Sequence, residues 1–554
     1  MQISLLDFLL SLQTRSKAKS LLSLQKMSIL LLAMAFMILA PLSVRADNDD
    51  NKEADAQPRY EGPGFRYGTD ESPPIVFDSE GVDLLAWLPL PEFDSHIGKL
   101  VNKANDIWGY VSNSGREYAI IGLGEGVAFV EVTTPNNPQI IAAFPGPSTT
   151  WRDIKTYKHY AYLVGDGRHR NMQVYDMSRI DDGIVTHVNT VTASRTHNVA
   201  IDTDSGMLFR TGAAHPDAKG LMIYDIKTDP ANPVLVGQWN GRYVHDAQAV
   251  TYKEGPYAGK EIVFAFTGFH KGLHILDVTD KSNIKVLGSL DYEYGSYSHQ
   301  GWLSPDKTIL YLGDEMDELY APDITTTTTW IIDVSDLSNP TEIGSFTNGS
   351  PAIDHNLFTI FHLIIEANYR SGLRIFDATI PTAPVEVGYF DTYPPDDDTH
   401  YNSLWGVYPF LPSRIIIGSD IEKGLFIWKV HAIPEVYIKT DIDIHPETLN
   451  TKSQGRWITC EIKAPDGYTA DDIVKDSIRL AGVVTAQHVQ TNPGQQQLTV
   501  KFDRLIVIDT LILQEGLDRN GGFSIFADVK VTGQLNDGKT FEATDKIRLM
   551  HNTK

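Results

Sequence analysis

Four histidines recur in one local context along this chain. His197-Asn198, His245-Asp246-Ala247-Gln248, His299-Gln300-Gly301-Trp302 and Asp354-His355-Asn356 each open a short apolar run, with the histidines 48, 54 and 56 residues apart. Asp106-Ile107-Trp108-Gly109, Trp151-Arg152-Asp153 and Ser403-Leu404-Trp405-Gly406 hold the same place in other runs. Neutral imidazole is a common ligand of divalent first-row metals, and carboxylate oxygens complete such sites. If the openings converge, His197, His245, His299 and His355 are candidate ligands for one divalent cation such as zinc, manganese, iron or copper. Asp106, Arg152, Asp153, Asp246, Gln248 and Asp354 are then candidate ligand-binding residues around it. A second reading uses the same residue types: a histidine at the end of a buried strand can donate a ring N–H to a neighbouring carbonyl and stitch two elements together. No pair has the i, i+4 spacing of a helical metal motif, so any ligands must come from separate elements.

The elements that would bring them together are written in a repeat. A short apolar strand ending in an acidic residue, a Ser/Thr/Pro-rich turn and another short strand recur as FVEVTTPNNPQIIAAF from Phe129, IYDIKTDPANPVLVGQW from Ile223, ILDVTDKSNIKVLGSL from Ile275, IIDVSDLSNPTEIGSF from Ile331 and IFDATIPTAPVEVGYF from Ile375. The acidic positions Glu131, Asp176, Asp225, Asp277, Asp333 and Asp377 lie 45, 49, 52, 56 and 44 residues apart. Such a period, rich in strands and turns, predicts the blades of a β-propeller. An Asp before Ser/Thr in a tight turn accepts hydrogen bonds from the turn's own amides, so these acids are read as turn caps.

The phasing also predicts how the array closes. The last unit stops after its third strand near Val430, while Val82-Asp-Leu-Leu-Ala-Trp87 has the pattern of the fourth strand Val234-Leu-Val-Gly-Gln-Trp239. The expected fold class is all-β: a seven-bladed propeller over residues 81–432, clasped by its N-terminal strand, and then a small β-sandwich over residues 435–554. Closure removes the open edges that a linear array exposes. The sandwich is read from alternating runs such as RWITCEI, QLTVKF and FSIFADVKVTG.

A second polar set lies after the second strands. Its acidic member, Asp314-Glu315-Met316-Asp317-Glu318, has the carboxylates of a calcium site but not the loop pattern of an EF-hand, and is read as a solvated loop. Gly122-Leu-Gly124-Glu-Gly126 joins two strands, not a strand to a helix, and is a poor phosphate cradle.

The chain has 554 residues, of which 42% are apolar, and a formal net charge of −24. That charge argues against nucleic acid as a partner, because binding to its backbone needs clustered Lys and Arg. The single cysteine, Cys460, excludes an intrachain disulfide framework and is read as a buried thiol. Arg15, Lys17, Lys19 and Lys26 precede SILLLAMAFMILAPLSV and Val44-Arg45-Ala46, the pattern of an export signal over residues 1–46, with Met27 an alternative start. The expected mature protein is secreted, periplasmic or on the cell surface, without a stable membrane span. Residues 47–80 read as a disordered acidic spacer.

Trp151-Arg-Asp-Ile, Thr196-His-Asn-Val-Ala-Ile, Ser298-His-Gln-Gly-Trp, Ile353-Asp-His-Asn and Ser419-Asp-Ile-Glu-Lys-Gly-Leu-Phe, taken in order, resemble the secreted bacterial choice-of-anchor B proteins, whose units are also described as LVIVD repeats. The resemblance implies an exported propeller and brings no catalytic residue with it. Motifs of the C-terminal part, among them Trp457-Ile-Thr-Cys and Val531-Thr-Gly-Gln-Leu-Asn-Asp-Gly, look like an accessory module of secreted proteins, which implies a spacer or attachment role. Two functions stand: a binding or scaffold protein for an extracellular or cell-surface ligand or protein, and a metal-dependent hydrolase or oxidase using the His/Asp cluster.

Overall fold

Successive side chains of a β-strand point to opposite faces of its sheet, and in the repeat strands both faces are apolar. Leu163 packs with Ile120 and Phe129, while its neighbours Tyr162 and Val164 pack with Val199 and Leu208. Ile120 and Ile121 diverge in the same way. Such strands belong to sheets buried on both sides.

The computed structural model describes residues 52–551 apart from short segments at 62–64, 67–75, 166–170, 193–195, 213–219, 271, 293, 434–436, 482–483, 492–495, 519–520 and 537–538. The expected export signal lies outside the described residues. Between residues 79 and 430 the described residues form seven antiparallel sheets, six of four strands and one of five, with short helices at Pro91–Ile97 and Asp317–Tyr320. The sheets' first strands are Ala104–Val111, Arg152–Tyr157, Val199–Asp202, Asp246–Thr251, Ser298–Leu303, Asn356–Ile360 and Leu404–Tyr408. Each lies against the next in this order, and the last lies against the first, an arrangement consistent with a propeller. Every pair of neighbouring sheets encloses its own hydrophobic cluster, so the core is distributed around the array.

The strand Val82–Leu88 pairs antiparallel with Gly424–Val430 and supplies the fourth strand of the last sheet, as its sequence pattern anticipates. The acids of the repeat cap their own turns: Asp225 Oδ1 accepts from the Lys227 and Thr228 amides, Asp277 Oδ1 from Thr279, Asp333 Oδ1 from Ser335 and Asp377 Oδ1 from Thr379. Glu131 differs and pairs with Arg116.

Part of the stretch expected as a disordered spacer packs instead. Residues 52–61 follow one mouth of the array, where Tyr401 N–H donates to Asp55, Tyr60 N–H to the Glu422 carbonyl and Arg59 to Asp94. Tyr60 also lies on Trp87, with ring centroids 5.0 Å apart.

The C-terminal residues form two sheets around one core, to which both contribute. The helix Arg504–Gln514, not anticipated from the sequence, packs on that core through Val507, Ile508, Leu511 and Ile512, and Asp503 caps it by accepting from the Leu505 and Ile506 amides. Cys460 is fully buried there, and burial raises its thiol above the usual range. A thiolate-directed reagent at pH 8 is therefore expected to leave the folded protein unlabelled and to modify one thiol on unfolding; rapid labelling of the native protein would contradict this placement. Among the described residues no helix is long and apolar enough to cross a membrane.

Candidate functional site

In an antiparallel pair, the end of one strand lies beside the start of its partner. Ser298 is thereby opposite Asp314, and Asn356 opposite Ala367. The histidine-bearing openings and the acidic run therefore share one mouth of the array, although the sequence presents them as separate sets.

The four imidazoles form a staircase around the axis. Ring centroids lie 4.5 Å apart for His197 and His245, 4.3 Å for His245 and His299, and 4.5 Å for His299 and His355. His245 Nδ1 lies 3.1 Å from the His299 carbonyl, His299 Nδ1 3.0 Å from the His355 carbonyl and His355 Nδ1 2.5 Å from the Trp405 carbonyl. A carbonyl only accepts, so in each of these three rings Nδ1 carries the proton. When such a ring is neutral it presents the Nε2 lone pair, the form in which imidazole binds metal. Burial holds His245 and His355 well below the usual histidine range, helped by His299 beside the first and by Lys52 beside the second, so both rings stay neutral.

The Nε2 atoms of His299 and His355 face one carboxylate. Glu315 Oε2 is 3.4 Å from His299 Nε2, and Glu315 Oε1 is 3.7 Å from His355 Nε2. All three side chains are buried, and their donor atoms lie within 4.8 Å of one another. Among the described residues this is the one such group of three or more His, Cys, Asp or Glu side chains. Glu315 Oε1 accepts from the Tyr369 hydroxyl at 2.5 Å, whereas Oε2 accepts no hydrogen bond among the described residues.

A cation already approaches this group. Lys52 Nζ lies 3.3 Å from Glu315 Oε1, 3.5 Å from His355 Nε2 and 3.9 Å from the centroid of the Trp405 ring. On a side chain only 1% exposed, the ammonium is offset by the Glu315 charge and the indole face.

The other sequence candidates have definite places. Asp153 Oδ1 accepts from the Ile154 amide and from Lys155, both at 2.6 Å, and its Oδ2 accepts from the Val199 amide of the next sheet at 2.6 Å. Asp106 joins this group at 3.5 Å from Lys155, and burial pushes its carboxyl well above the usual range. Asp246 accepts from the Ala247 amide, and burial raises it to about 7 against the pull of Lys155. Arg152 donates to the Leu123 and Pro147 carbonyls. Gln248 accepts from the Leu303 amide, as Gln300 does from Leu357 one sheet on, and Asp354 accepts from the Asp314 amide. Arg152, Gln248 and Asp354 thus connect strands. Asp106, Asp246, His197, His299 and His355 line a cavity of about 30 Å³ on the axis, room for one water-sized occupant.

Sequence reasoning missed Glu315 and Lys52. The acidic run, read as a solvated loop, is inward-facing: Asp314, Glu315 and Asp317 are fully buried. Asp314 accepts from the Tyr292 hydroxyl and from the Ser296 and Tyr297 amides, and Asp317 accepts from the Trp330 indole. Strand pairing carried the missing signal for Glu315, since a residue one past the end of a second strand must lie beside the opening of the first.

Comparison with protein families finds LVIVD repeats at residues 217–241, 263–291 and 329–348, the stretches that hold the acid-ended strands at Asp225, Asp277 and Asp333. A search of curated proteins gives no match. Among solved structures, a protein from Lactobacillus plantarum is 13% identical, with a TM-score of 0.37, over 48% of this chain and 79% of its own. A functionally unknown protein from Desulfotomaculum acetoxidans is 15% identical, with a TM-score of 0.38, over 53% of this chain and 87% of its own.

Proposed function

We propose that this chain is an exported binding protein of the choice-of-anchor B type. In this reading it is a seven-bladed propeller clasped by its N-terminal strand, carries a C-terminal β-sandwich, and holds one divalent transition-metal cation on its axis through His299, His355 and Glu315. One observation carries the metal reading. Two imidazoles, with Nδ1 protons committed to carbonyls, turn their Nε2 lone pairs onto a carboxylate whose Oε2 accepts no hydrogen bond among the described residues. At His299 Nε2 and Glu315 Oε2, acceptor faces acceptor in a buried site, which is unfavourable, and a cation between them reverses the sign of the interaction. Lys52 supplies positive charge on the His355 side, so metal and ammonium compete for the same atoms.

The closed surroundings favour holding an ion over turning over a substrate. Tyr369 donates to Glu315, and Lys52 packs against the Tyr369 and Trp405 rings beside it. The ligand or partner recognised by the protein outside the cell is a separate question from this ion.

The test is metal content of the untagged protein after exposure to zinc, manganese and iron salts and exhaustive dialysis. Stoichiometric metal is expected in the wild type, its loss in His299→Ala/His355→Ala and in Glu315→Gln, and tighter retention in Lys52→Ala. A folded double-histidine variant that keeps its metal, or a wild type that takes up none of the three, overturns the proposal.

A further inference from the structure

At the opposite mouth of the array, where the first strands end, lies a pocket of about 760 Å³ that the sequence reading did not anticipate. Its volume falls within the ~300–1,000 Å³ of small-molecule sites. Its floor is aromatic. Trp302 packs edge-on against Phe358 at 4.9 Å and lies 6.0 Å from Phe410, Tyr408 meets Phe410 at 5.4 Å, and Trp108 meets Tyr408 at 4.8 Å. These contacts fix the ring orientations, while Trp108, Trp302, Tyr408 and Phe410 all stay half-buried. A concave floor of partly wet rings in preset orientations is matched by a ligand with an apolar face.

The rim selects the rest of the ligand. The lining carries the carboxylates of Asp202, Asp204, Glu254 and Asp306 and the ammonium groups of Lys155, Lys253 and Lys307, with Lys253 paired to Asp204 at 2.9 Å, so the two signs nearly balance. Lys155 already lies 4.4 Å over the Trp108 ring and Lys307 5.8 Å over Tyr252, so a cationic ligand seeking those faces meets like charge. An anionic ligand must approach a chain of net charge −24. On the wall the Tyr252 hydroxyl is buried and makes no hydrogen bond among the described residues. Burial raises it to about 12, with Tyr257 adding to the effect, which keeps it a neutral donor and acceptor. A buried hydroxyl without a partner is costly unless a ligand completes it.

We infer that this mouth binds a neutral saccharide, whose ring C–H face lies on Trp302 and Phe410 and whose hydroxyls meet Tyr252 and the rim carboxylates. The site does not use His299, His355 or Glu315, although Lys155, Ala247 and Trp302 also line the axial cavity.

The experiment titrates the full chain, in the presence of a chelator, with glucose, galactose, mannose and N-acetylglucosamine and with their β-1,4-linked oligomers where these exist. Binding is read by tryptophan fluorescence and calorimetry. Saturable binding of at least one sugar is expected, weakened about tenfold by Trp302→Ala through loss of its ring contact. Because Trp302 also packs in the array, Tyr252→Phe serves as the second variant: it removes one oxygen and is expected to weaken binding several-fold without lowering the unfolding midpoint of the ligand-free protein. Three results overturn the inference: no sugar binding tighter than about 10 mM, sugar binding indifferent to both variants, or saturation of the pocket by choline or a nucleotide instead.

Discussion

A chain lacking residues 82–88 is expected to lose its cooperative unfolding transition, the largest single effect that the structure anticipates on stability. The strand Val82–Leu88 closes the last sheet against Gly424–Val430, and its removal leaves Phe426 and Trp428 without the layer that covers them. Trp87 is the anchor. It is fully buried, stacks on Phe426 at 5.5 Å and 10°, meets Phe77 edge-on at 5.5 Å, and donates its indole N–H to the Lys423 carbonyl at 2.9 Å. Gly424 accommodates this strand: its φ is +96°, and a Cβ there would stand 2.5 Å from the Leu88 carbonyl oxygen. Replacing Trp87 alone by Ala should cost ~3–5 kcal/mol, the range for a buried aromatic truncated in a packed core. Denaturant unfolding followed by circular dichroism checks both variants, and an unchanged midpoint for the deletion refutes the clasp.

The clasp was legible because a fourth strand was missing from the last repeat, and a segment with the right alternation stood at the other end of the chain. The turn-capping acids were legible for a similar reason, since local chemistry governs them and each repeat restates it. Glu315 was hidden by reading along the chain one strand at a time, when the paired strand shows it opposite the histidine openings. Lys52 has no local signal at all. A lysine in a run of acids and small polar residues reads as solvated, and only the channel mouth far along the sequence makes its burial favourable.

The helix Arg504–Gln514 is an intermediate case. Its run is apolar almost throughout, so apolarity alone does not separate helix from strand. The buried positions Arg504, Val507, Ile508, Leu511 and Ile512 nonetheless follow helical spacing, and Asp503 stands where a helix cap belongs. Tertiary burial selects that face from a sequence in which nearly every face is apolar.

The ring is expected to become less stable as pH rises from about 5 to about 8, the reverse of a protein held by exposed ion pairs. The cause is a set of carboxyls buried at the mouth and between sheets. Burial raises Asp246 and Glu366 to about 7, and raises Asp317 and Glu422 to about 8. A neighbouring carboxylate adds to burial at each of them: Asp153 beside Asp246, Glu386 beside Glu366, Asp314 beside Asp317 and Asp420 beside Glu422. In the unfolded chain such groups titrate near 4. Between that value and their native values these carboxyls hold protons that the unfolded chain has lost, and they outnumber the neutral His245 and His355, which act in the opposite sense below about pH 6.5, so stability falls with pH. Their contribution is fully present below about pH 4 and is lost as pH passes through the native values near 7 and 8. A single buried carboxyl raised from near 4 to about 7 loses ~4 kcal/mol in all, of which roughly two thirds falls above pH 5. Scanning calorimetry from pH 5 to 9 measures it, and a midpoint that is flat or rises over pH 5 to 8 contradicts the assignment. Glu366→Gln isolates one contributor. Glu366 accepts from Thr329 and Asn368, both of which an amide oxygen can serve in part, so the variant should fold and show a slope shallower by up to ~1.4 kcal/mol per pH unit, the value of one proton.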